Sequence, residues 1–135
     1  MSSFTTDPRI AADSTLLIPL GLSDLRLMND ARYPWLLLVP RVEATEIVDL
    51  SPDDRSELFD EIAEVAAALR QATQCHKLNI AALGNVVRQL HVHVIARFTK
   101  DAVWPKPVWG IGAAVAYEAA ERDKLTAKIL AALPA

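Results

Sequence analysis

Two histidines, His91 and His93, lie one residue apart in the apolar stretch GNVVRQLHVHVIAR at residues 84–97. A neutral imidazole can attack phosphorus or transfer a proton near pH 7. Side chains alternate between the two faces of a strand, so an extended segment would place Gln89, both histidines and Arg97 in one row. Such a row, spaced about 7 Å apart, suits a phosphate chain. The opposite face is wholly apolar and is predicted to face the core: Leu90, Val92, Val94 and Ala96.

Two other interpretations of the histidines stay open at this point. One is a buried strand with hydrogen-bonded imidazoles and no chemistry, which the residues alone support about as well as a catalytic site. The other is a zinc site, because His-x-His on a strand can chelate a metal ion. Zinc needs one or two further ligands, and the remaining histidine, His76, lies beyond a turn. No metal and no cofactor are therefore predicted.

The segment before the histidines contains a turn at Gly84 and Asn85. Backbone N–H groups and the Asn85 amide could meet an anion in such a turn. Taken alone, the glycine is more simply an ordinary turn residue.

The elements that must position these residues follow an α+β order. Pro8 suits the start of a short helix at 8–13. Alternation and apolar runs predict five strands, mostly antiparallel, at 14–20, 23–29, 35–41, 77–83 and 88–98. The strand at 35–41 is continuously apolar, which predicts a central place in a sheet whose faces are both covered.

Two helices are predicted to pack on one face of that sheet. The first begins after Ser51, a good N-cap, and ends near Thr73; it carries an apolar stripe at Leu58, Ile62, Val65 and Leu69. The second runs from about 117 to 133 and carries a stripe at Leu125, Ile129 and Leu133. Between the last strand and this helix, WPKPVWG at 104–110 is predicted to be irregular because of its prolines.

Composition restricts the function classes. The 135 residues suggest a single domain over 1–135, and a formal charge of −3 argues against binding a nucleic-acid polymer. No apolar run is long enough for a membrane helix, and no signal peptide is recognisable. The single cysteine, Cys75, excludes an intrachain disulfide, so a reduced, cytoplasmic setting is expected.

The stretch GNVVRQLHVHVIAR resembles the signature of the histidine triad (HIT) hydrolases and transferases. That signature reads His-φ-His-φ-His-φ-φ with φ apolar, often preceded by Gly-Gln and followed by Arg. Gln89 stands at the first histidine, His91 at the second and His93 at the third.

The resemblance extends upstream over about residues 14–98. MNDARYPWLLLVPR at 28–41 is similar to the family's first-strand region, and DLSPDDRSELFDEI at 49–62 to the start of its central helix. It implies a hydrolase or transferase of small nucleotides, such as dinucleoside polyphosphates or nucleoside phosphoramidates, that forms a homodimer. Neither a nucleic-acid polymer nor a membrane is an expected partner.

By this resemblance His91 is the nucleophile that forms a nucleotidyl-histidine intermediate, and His93 contacts the scissile phosphate. Asn85 takes the place of a glutamine that holds the phosphate or the leaving group. Asp30 falls where the family binds the ribose hydroxyls, and Asn79 is a further candidate for the phosphates. Arg97 stands at the trailing arginine of the signature.

Two departures from the signature bear on activity. Gln89 cannot titrate, so a proton-relay role of the first histidine is lost, although hydrogen bonding survives. Asn85 is one methylene shorter than glutamine. Two function hypotheses follow: an active nucleotidyl hydrolase acting through His91, or a nucleotide-binding module with little or no turnover. Trp104 and Trp109 could line the base pocket, although anchoring an irregular segment to the core is the favoured interpretation.

Overall fold

A computed structural model describes residues 3–134 and confirms the α+β fold. In chain order the elements of the described chain are α1 (Pro8–Asp13), β1 (Ser14–Pro19), β2 (Ser23–Met28), β3 (Trp35–Pro40), α2 (Pro52–Thr73), β4 (Lys77–Ala81), β5 (Val92–Arg97) and α3 (Ala119–Ala132), with a short 3-10 turn at Ile47–Asp49 before α2. Most of the predicted bounds are within two residues of these.

The five strands form one sheet in the order β1-β2-β3-β5-β4, and every neighbouring pair is antiparallel. β3 lies in the middle, and all six of its residues are buried. The prediction of a central strand is therefore confirmed. A strand buried on both faces needs cover on both sides, and the fold supplies that cover in two different ways.

The helices cover one face. α2 begins as predicted, with the Ser51 hydroxyl accepting a hydrogen bond from the Asp54 N–H at 3.1 Å. It ends at Thr73, and the next residue, Gln74, caps it in the left-handed conformation. The predicted stripes of α2 and α3 join the inward side chains of the sheet in the main core: Leu25, Leu27, Leu36, Leu38, Leu58, Ile62, Val65, Leu69, Leu90, Val92, Val94, Ala96 and Ile129.

The second face of the sheet is covered by α1 and by irregular segments. A smaller buried cluster lies there, formed by Ile10, Tyr33, Trp35, Leu37, Val39, Ile95 and Val108. His93 belongs to this face, because it pairs across the strands with Leu37 and its ring packs against Trp35. Alternation along the segment thus separated the core side from the histidine side correctly.

The start of the histidine strand was predicted too early. The structure begins β5 at Val92, so Gln89 and His91 lie in the connection before it and not on the strand. The ladder with β3 ends at the pair Leu38–Val92. Two residues further on, continued pairing would set Leu90 opposite Pro40. Proline has no N–H for such a ladder, and the Leu90 N–H donates to the Ala44 carbonyl at 2.9 Å instead.

The remaining connections agree with the predictions. WPKPVWG is irregular in the structure, and α1 spans the predicted residues. Across residues 3–134, none of the helices combines the length and the apolar character that crossing a membrane requires.

Candidate active site

His91 has a fixed orientation at the end of the connection before β5. Its Nδ1 lies 2.8 Å from the backbone carbonyl oxygen of Gln89. A carbonyl oxygen only accepts hydrogen bonds, so Nδ1 must carry a proton. In the neutral ring, Nε2 then holds a free electron pair. His91 is 9% exposed, which restricts its motion while leaving access for a ligand.

His93 has the opposite arrangement. The Trp35 indole N–H donates to His93 Nδ1 at 3.0 Å. Indole nitrogen is only a donor, so Nδ1 must be unprotonated and the neutral ring carries its proton on Nε2. Burial, and to a smaller extent the charge of His91, lower the pKa of His93 to about 3. His93 is therefore neutral at pH 7 and still offers an N–H.

The two imidazoles lie edge to face, with their ring centroids 4.9 Å apart. One presents an electron pair and the other presents a proton. A nucleophile beside a hydrogen-bond donor is the arrangement that nucleophilic displacement at a phosphate needs, since charge grows on the non-bridging oxygens as the bond forms. The pair therefore offers an electron pair and a hydrogen-bond donor within one site.

A cavity of about 330 Å³ is bordered by two tryptophans whose rings contact His93. Trp35 and Trp109 both border it, and the Trp109 ring contacts His93 at a centroid distance of 5.1 Å. Flat aromatic surfaces suit a nucleobase. Trp109 thus borders the cavity, whereas Trp104 packs against the Arg97 guanidinium at 5.6 Å. The two tryptophans, both considered for the base pocket from the sequence, thus have different surroundings.

Asp30 also borders this cavity but is not a free acceptor. It is 3% exposed and forms an ion pair with Arg32 at 2.8 Å. Burial raises the pKa of Asp30, but hydrogen bonds from the Arg32 side chain, the Arg32 N–H and the Val115 N–H outweigh it, so the pKa lies below its usual value. A ribose diol at this carboxylate would share it with Arg32, and ribose binding by Asp30 stays a prediction.

Arg97 and Asn79 bind each other instead of standing open in a phosphate row. The Arg97 guanidinium donates to Asn79 Oδ1 at 2.9 Å and to both carboxylate oxygens of Asp101 at 2.7 and 3.1 Å. Arg97 is 1% exposed. A phosphate contact by either residue stays a prediction, and Arg97 would have to leave Asp101 to make one.

Asp101 connects this network to the irregular segment that carries the tryptophans. Its carboxylate also accepts the backbone N–H groups of Phe98, Val103 and Trp104. Burial raises the pKa of Asp101, but the Arg97 and backbone hydrogen bonds outweigh it and lower the pKa overall. This role cannot be read from the sequence, because a lone aspartate in a loop has the same pattern as any solvated residue.

A second cleft, of about 190 Å³, opens beside His91. It is bordered by Glu46, Gly84 and Gln89, with Leu83 and Val48 on its apolar side. Gly84 has φ +72°, the left-handed region that glycine adopts without strain. Asn85 follows it and is exposed. The histidine pair thus lies between two open spaces, one at each end.

The Gln89 side chain points to the amino-terminal segment. Its amide NH₂ donates to the Thr5 carbonyl at 2.8 Å, and its oxygen accepts the Asp7 N–H at 2.8 Å. Sequence reasoning missed this contact, because residues 3–7 carry no periodic pattern. In the part of the chain that the structure describes, no three His, Cys, Asp or Glu side chains group in a way that could hold a metal ion.

Comparison with known proteins identifies the family of the chain. Residues 9–100 match the HIT domain family, so the chain belongs to the HIT family. Two solved structures are very similar over nearly their whole length. A histidine triad protein from Sinorhizobium meliloti 1021 is 48% identical, with a TM-score of 0.96 and coverage of 98% of this chain and 99% of that one. A histidine triad protein from Bradyrhizobium japonicum is 45% identical, with a TM-score of 0.95 and coverage of 97% and 98%.

A more distant relative carries a named activity. The AP-4-A phosphorylase of Mycobacterium tuberculosis is 26% identical over 109 residues, which cover 73% of this chain and 55% of that protein. The chain thus spans about half the length of the curated relatives it matches.

Proposed function

We propose that this HIT protein is a nucleotide hydrolase or transferase that forms a nucleotidyl-histidine intermediate on His91. The observation that carries the proposal is the pair of opposite protonation states: His91 Nε2 has an electron pair, and His93 Nε2 has a proton. Membership of the HIT family and the distant AP-4-A phosphorylase both support a nucleotide-processing activity.

In the first step, His91 Nε2 attacks the phosphorus that bears the nucleoside. A P–N bond forms, and the bond from phosphorus to the leaving group breaks with the electron pair going to that group. The His93 N–H donates to a non-bridging oxygen and stabilises the charge that develops there. The phosphorylated imidazole of His91 keeps its Nδ1 proton and becomes cationic, and the Gln89 carbonyl oxygen stabilises that charge.

In the second step, an acceptor attacks the same phosphorus and the P–N bond breaks, with its electrons returning to His91 Nε2. Water as acceptor gives a nucleoside monophosphate and releases a proton to solvent. Inorganic phosphate as acceptor gives a nucleoside diphosphate, and the name of the mycobacterial relative makes phosphorolysis the second candidate reaction. Both reactions use the same intermediate.

The nucleoside is proposed to occupy the cavity bordered by Trp35, Trp109 and Asp30. This placement sets its phosphate beside His93, whose ring contacts both tryptophans. The leaving group then lies toward the second cleft, beyond His91.

Turnover of diadenosine tetraphosphate and of adenosine 5′-phosphoramidate tests the proposal. We expect the wild-type chain to cleave at least one of them, and His91→Ala to lose at least a thousandfold in kcat because the nucleophile is absent. His76→Ala is the matched control, since His76 is exposed and lies immediately before β4. If wild type binds AMP but turns over neither substrate, the chain is the binding module, and the catalytic proposal fails.

The homodimer expected from the resemblance stays a prediction. β4 lies at one edge of the sheet, and Ile80 on it is 49% exposed. Sedimentation velocity on wild type and on an Ile80→Lys variant tests it: we expect a dimer that the charge disrupts.

A further inference from the structure

The side chain of Gln89 pairs with the backbone in the way that a neighbouring strand would. One donor and one acceptor of the amide meet the Thr5 carbonyl and the Asp7 N–H, each at 2.8 Å. A histidine at this position would have to make both contacts with a rigid ring of different shape. The substitution at the first signature position thus fixes residues 5–7 next to the connection that carries His91.

The two hydrogen bonds of Gln89 to Thr5 and Asp7 are called the Gln89 clamp below. Arg9, two residues after Asp7, lies against the turn that follows Gly84. The Arg9 guanidinium donates to the Val86 carbonyl at 3.1 Å and to the Asp7 carboxylate at 3.2 and 3.3 Å. Hydrogen bonds from the Arg9 side chain and the Arg9 N–H lower the pKa of Asp7 below its usual value. Arg9 is therefore held next to the 84–87 turn, whose Gly84 borders the cleft beside His91.

Arg9 retains binding capacity. A guanidinium has five N–H donors, and three of them meet partners among the described residues. Two remain, and the side chain is 57% exposed. Guanidinium groups bind phosphate oxygens with charge-assisted hydrogen bonds, so the free donors fit a phosphate arriving from solvent.

Two arginines near the histidine pair are already engaged, whereas Arg88, on the connection before β5, is exposed and is oriented by no hydrogen bond within the described residues. Arg32 is paired with Asp30 at the nucleoside end, and Arg97 is buried against Asp101. Glu46 borders the cleft beside His91, so an anionic group there needs a cation to offset that charge. Within the described residues, Arg9 is thus a cation that hydrogen bonds hold against the 84–87 turn, and Gly84 of that turn borders the cleft beside His91.

We propose that Arg9, held on the 84–87 turn through the Gln89 clamp, binds the anionic leaving group of the nucleotidyl-transfer step. The inference rests on the proposed function and adds a substrate class to it. Phosphoanhydrides, whose leaving group carries further phosphates, are favoured over phosphoramidates, whose amine leaving group carries none. An acceptor phosphate in phosphorolysis approaches along the same path and meets the same guanidinium.

The test compares two substrates that share the adenylyl group and differ in the leaving group. The ratio of kcat/KM for diadenosine tetraphosphate to that for adenosine 5′-phosphoramidate is measured for wild type and for Arg9→Gln. We expect the ratio to fall by about tenfold or more, the effect of losing one charge-assisted hydrogen bond. Arg9→Lys keeps the charge but not the fork and should recover part of the ratio.

Arg70→Gln is the matched control, because it changes net charge equally on the exposed side of α2. It should leave the ratio unchanged. Phosphorolysis is followed in parallel as the dependence of the rate on inorganic phosphate, where Arg9→Gln should raise the concentration needed for half-maximal rate. The phosphate dependence therefore shows whether Arg9 binds the acceptor phosphate as well as the phosphates of the leaving group.

A binding measurement decides the case in which no substrate is turned over. The affinities of wild type and Arg9→Gln for AMP and ADP are compared by calorimetry, with the second phosphate of ADP standing in for the leaving group. We expect Arg9→Gln to weaken ADP about tenfold more than AMP. If ADP and AMP are affected equally, or the kinetic ratio does not move, the role of Arg9 is excluded even where wild type is active. If wild type shows no turnover, that result alone contradicts the proposed function. The AMP and ADP affinities then decide this inference.

Discussion

The Trp35 indole N–H donates to His93 Nδ1 at 3.0 Å, from the first residue of the central strand to the second residue of its neighbour. This one hydrogen bond determines which nitrogen of His93 carries the proton. Because Nδ1 is an acceptor, the N–H of His93 lies on Nε2. The polarity of the histidine pair therefore depends on a tryptophan that would otherwise count as an ordinary core residue.

Trp35→Phe removes that donor and keeps most of the aromatic packing. His93 then exchanges between two tautomers, and we expect kcat to fall about tenfold, in the range of losing one positioned catalytic hydrogen bond. Nitrogen chemical shifts of His93 report the tautomer directly. Trp104→Phe, which alters the ring against Arg97, serves as the control. Retention of a single Nε2–H tautomer in Trp35→Phe would disprove this role for the tryptophan.

The pH dependence of stability follows from the lowered pKa of His93. Its pKa is about 3 in the folded chain and 6.5 in the unfolded one, so below pH 6.5 the unfolded state binds the proton and the folded state does not. The free energy of unfolding should therefore decrease as the pH falls from 6.5 toward 3. Between pH 7 and pH 5 the expected loss is about 2 kcal/mol.

Urea denaturation at pH 7 and pH 5 measures this loss. His93→Gln should show a smaller difference between the two pH values than wild type, whereas His76→Gln should match wild type. The carboxylates with lowered pKa, Asp7, Asp30 and Asp101, lose their contribution only near and below pH 4, because their unfolded pKa is 3.8. An unchanged pH dependence in His93→Gln would assign the loss to another group.

Gln89→Ala should release the amino-terminal segment from the site. Both contacts to the backbone disappear, so we expect the Asp7 amide to exchange its hydrogen at least tenfold faster. Gln89→Glu keeps the acceptor for the Asp7 N–H but loses the donor to Thr5, and it should lie between wild type and alanine. Hydrogen exchange read by NMR distinguishes the three. Equal exchange in all three would mean that the segment is held by other contacts.

Asp101→Ala should destabilise the fold strongly. It leaves the Arg97 guanidinium buried without its carboxylate, and breaking such a pair costs about 3–5 kcal/mol. The same change frees three backbone N–H groups of the segment that leads to Trp109. Chemical denaturation gives the loss. The exposed pair of Arg122 and Asp123 on α3 provides the comparison, and Asp123→Ala should cost less than about 1 kcal/mol.

The sequence predicted the features that depend on local pattern. The Ser51 cap, the stripe on α2 and the continuous apolar run of β3 each follow from spacing and composition, and all three are confirmed. The alternation of the histidine segment also predicted correctly which side chains face the main core and which lie on the opposite face of the sheet. The start of β5 was predicted wrongly. It depends on the residues of β3, because continued pairing would set Leu90 opposite Pro40, which has no N–H to donate.

The contacts that define the site join distant parts of the chain and carry no local signal. Gln89 meets Thr5 and Asp7 over more than 80 residues, and Trp35 meets His93 over 58. Asp30 was expected to be open to a ribose, yet its carboxylate is paired with the arginine two residues later. Residue type and spacing can propose a role for such side chains, but only the packed chain shows their partners.

Mass spectrometry of the protein quenched during turnover of diadenosine tetraphosphate tests the central claim most directly. We expect an acid-labile mass increase of one adenylyl group on the peptide that contains His91. It should be present in wild type and His76→Ala and absent from His91→Ala. Turnover without any adenylylated protein, or a label on His93, would contradict the account.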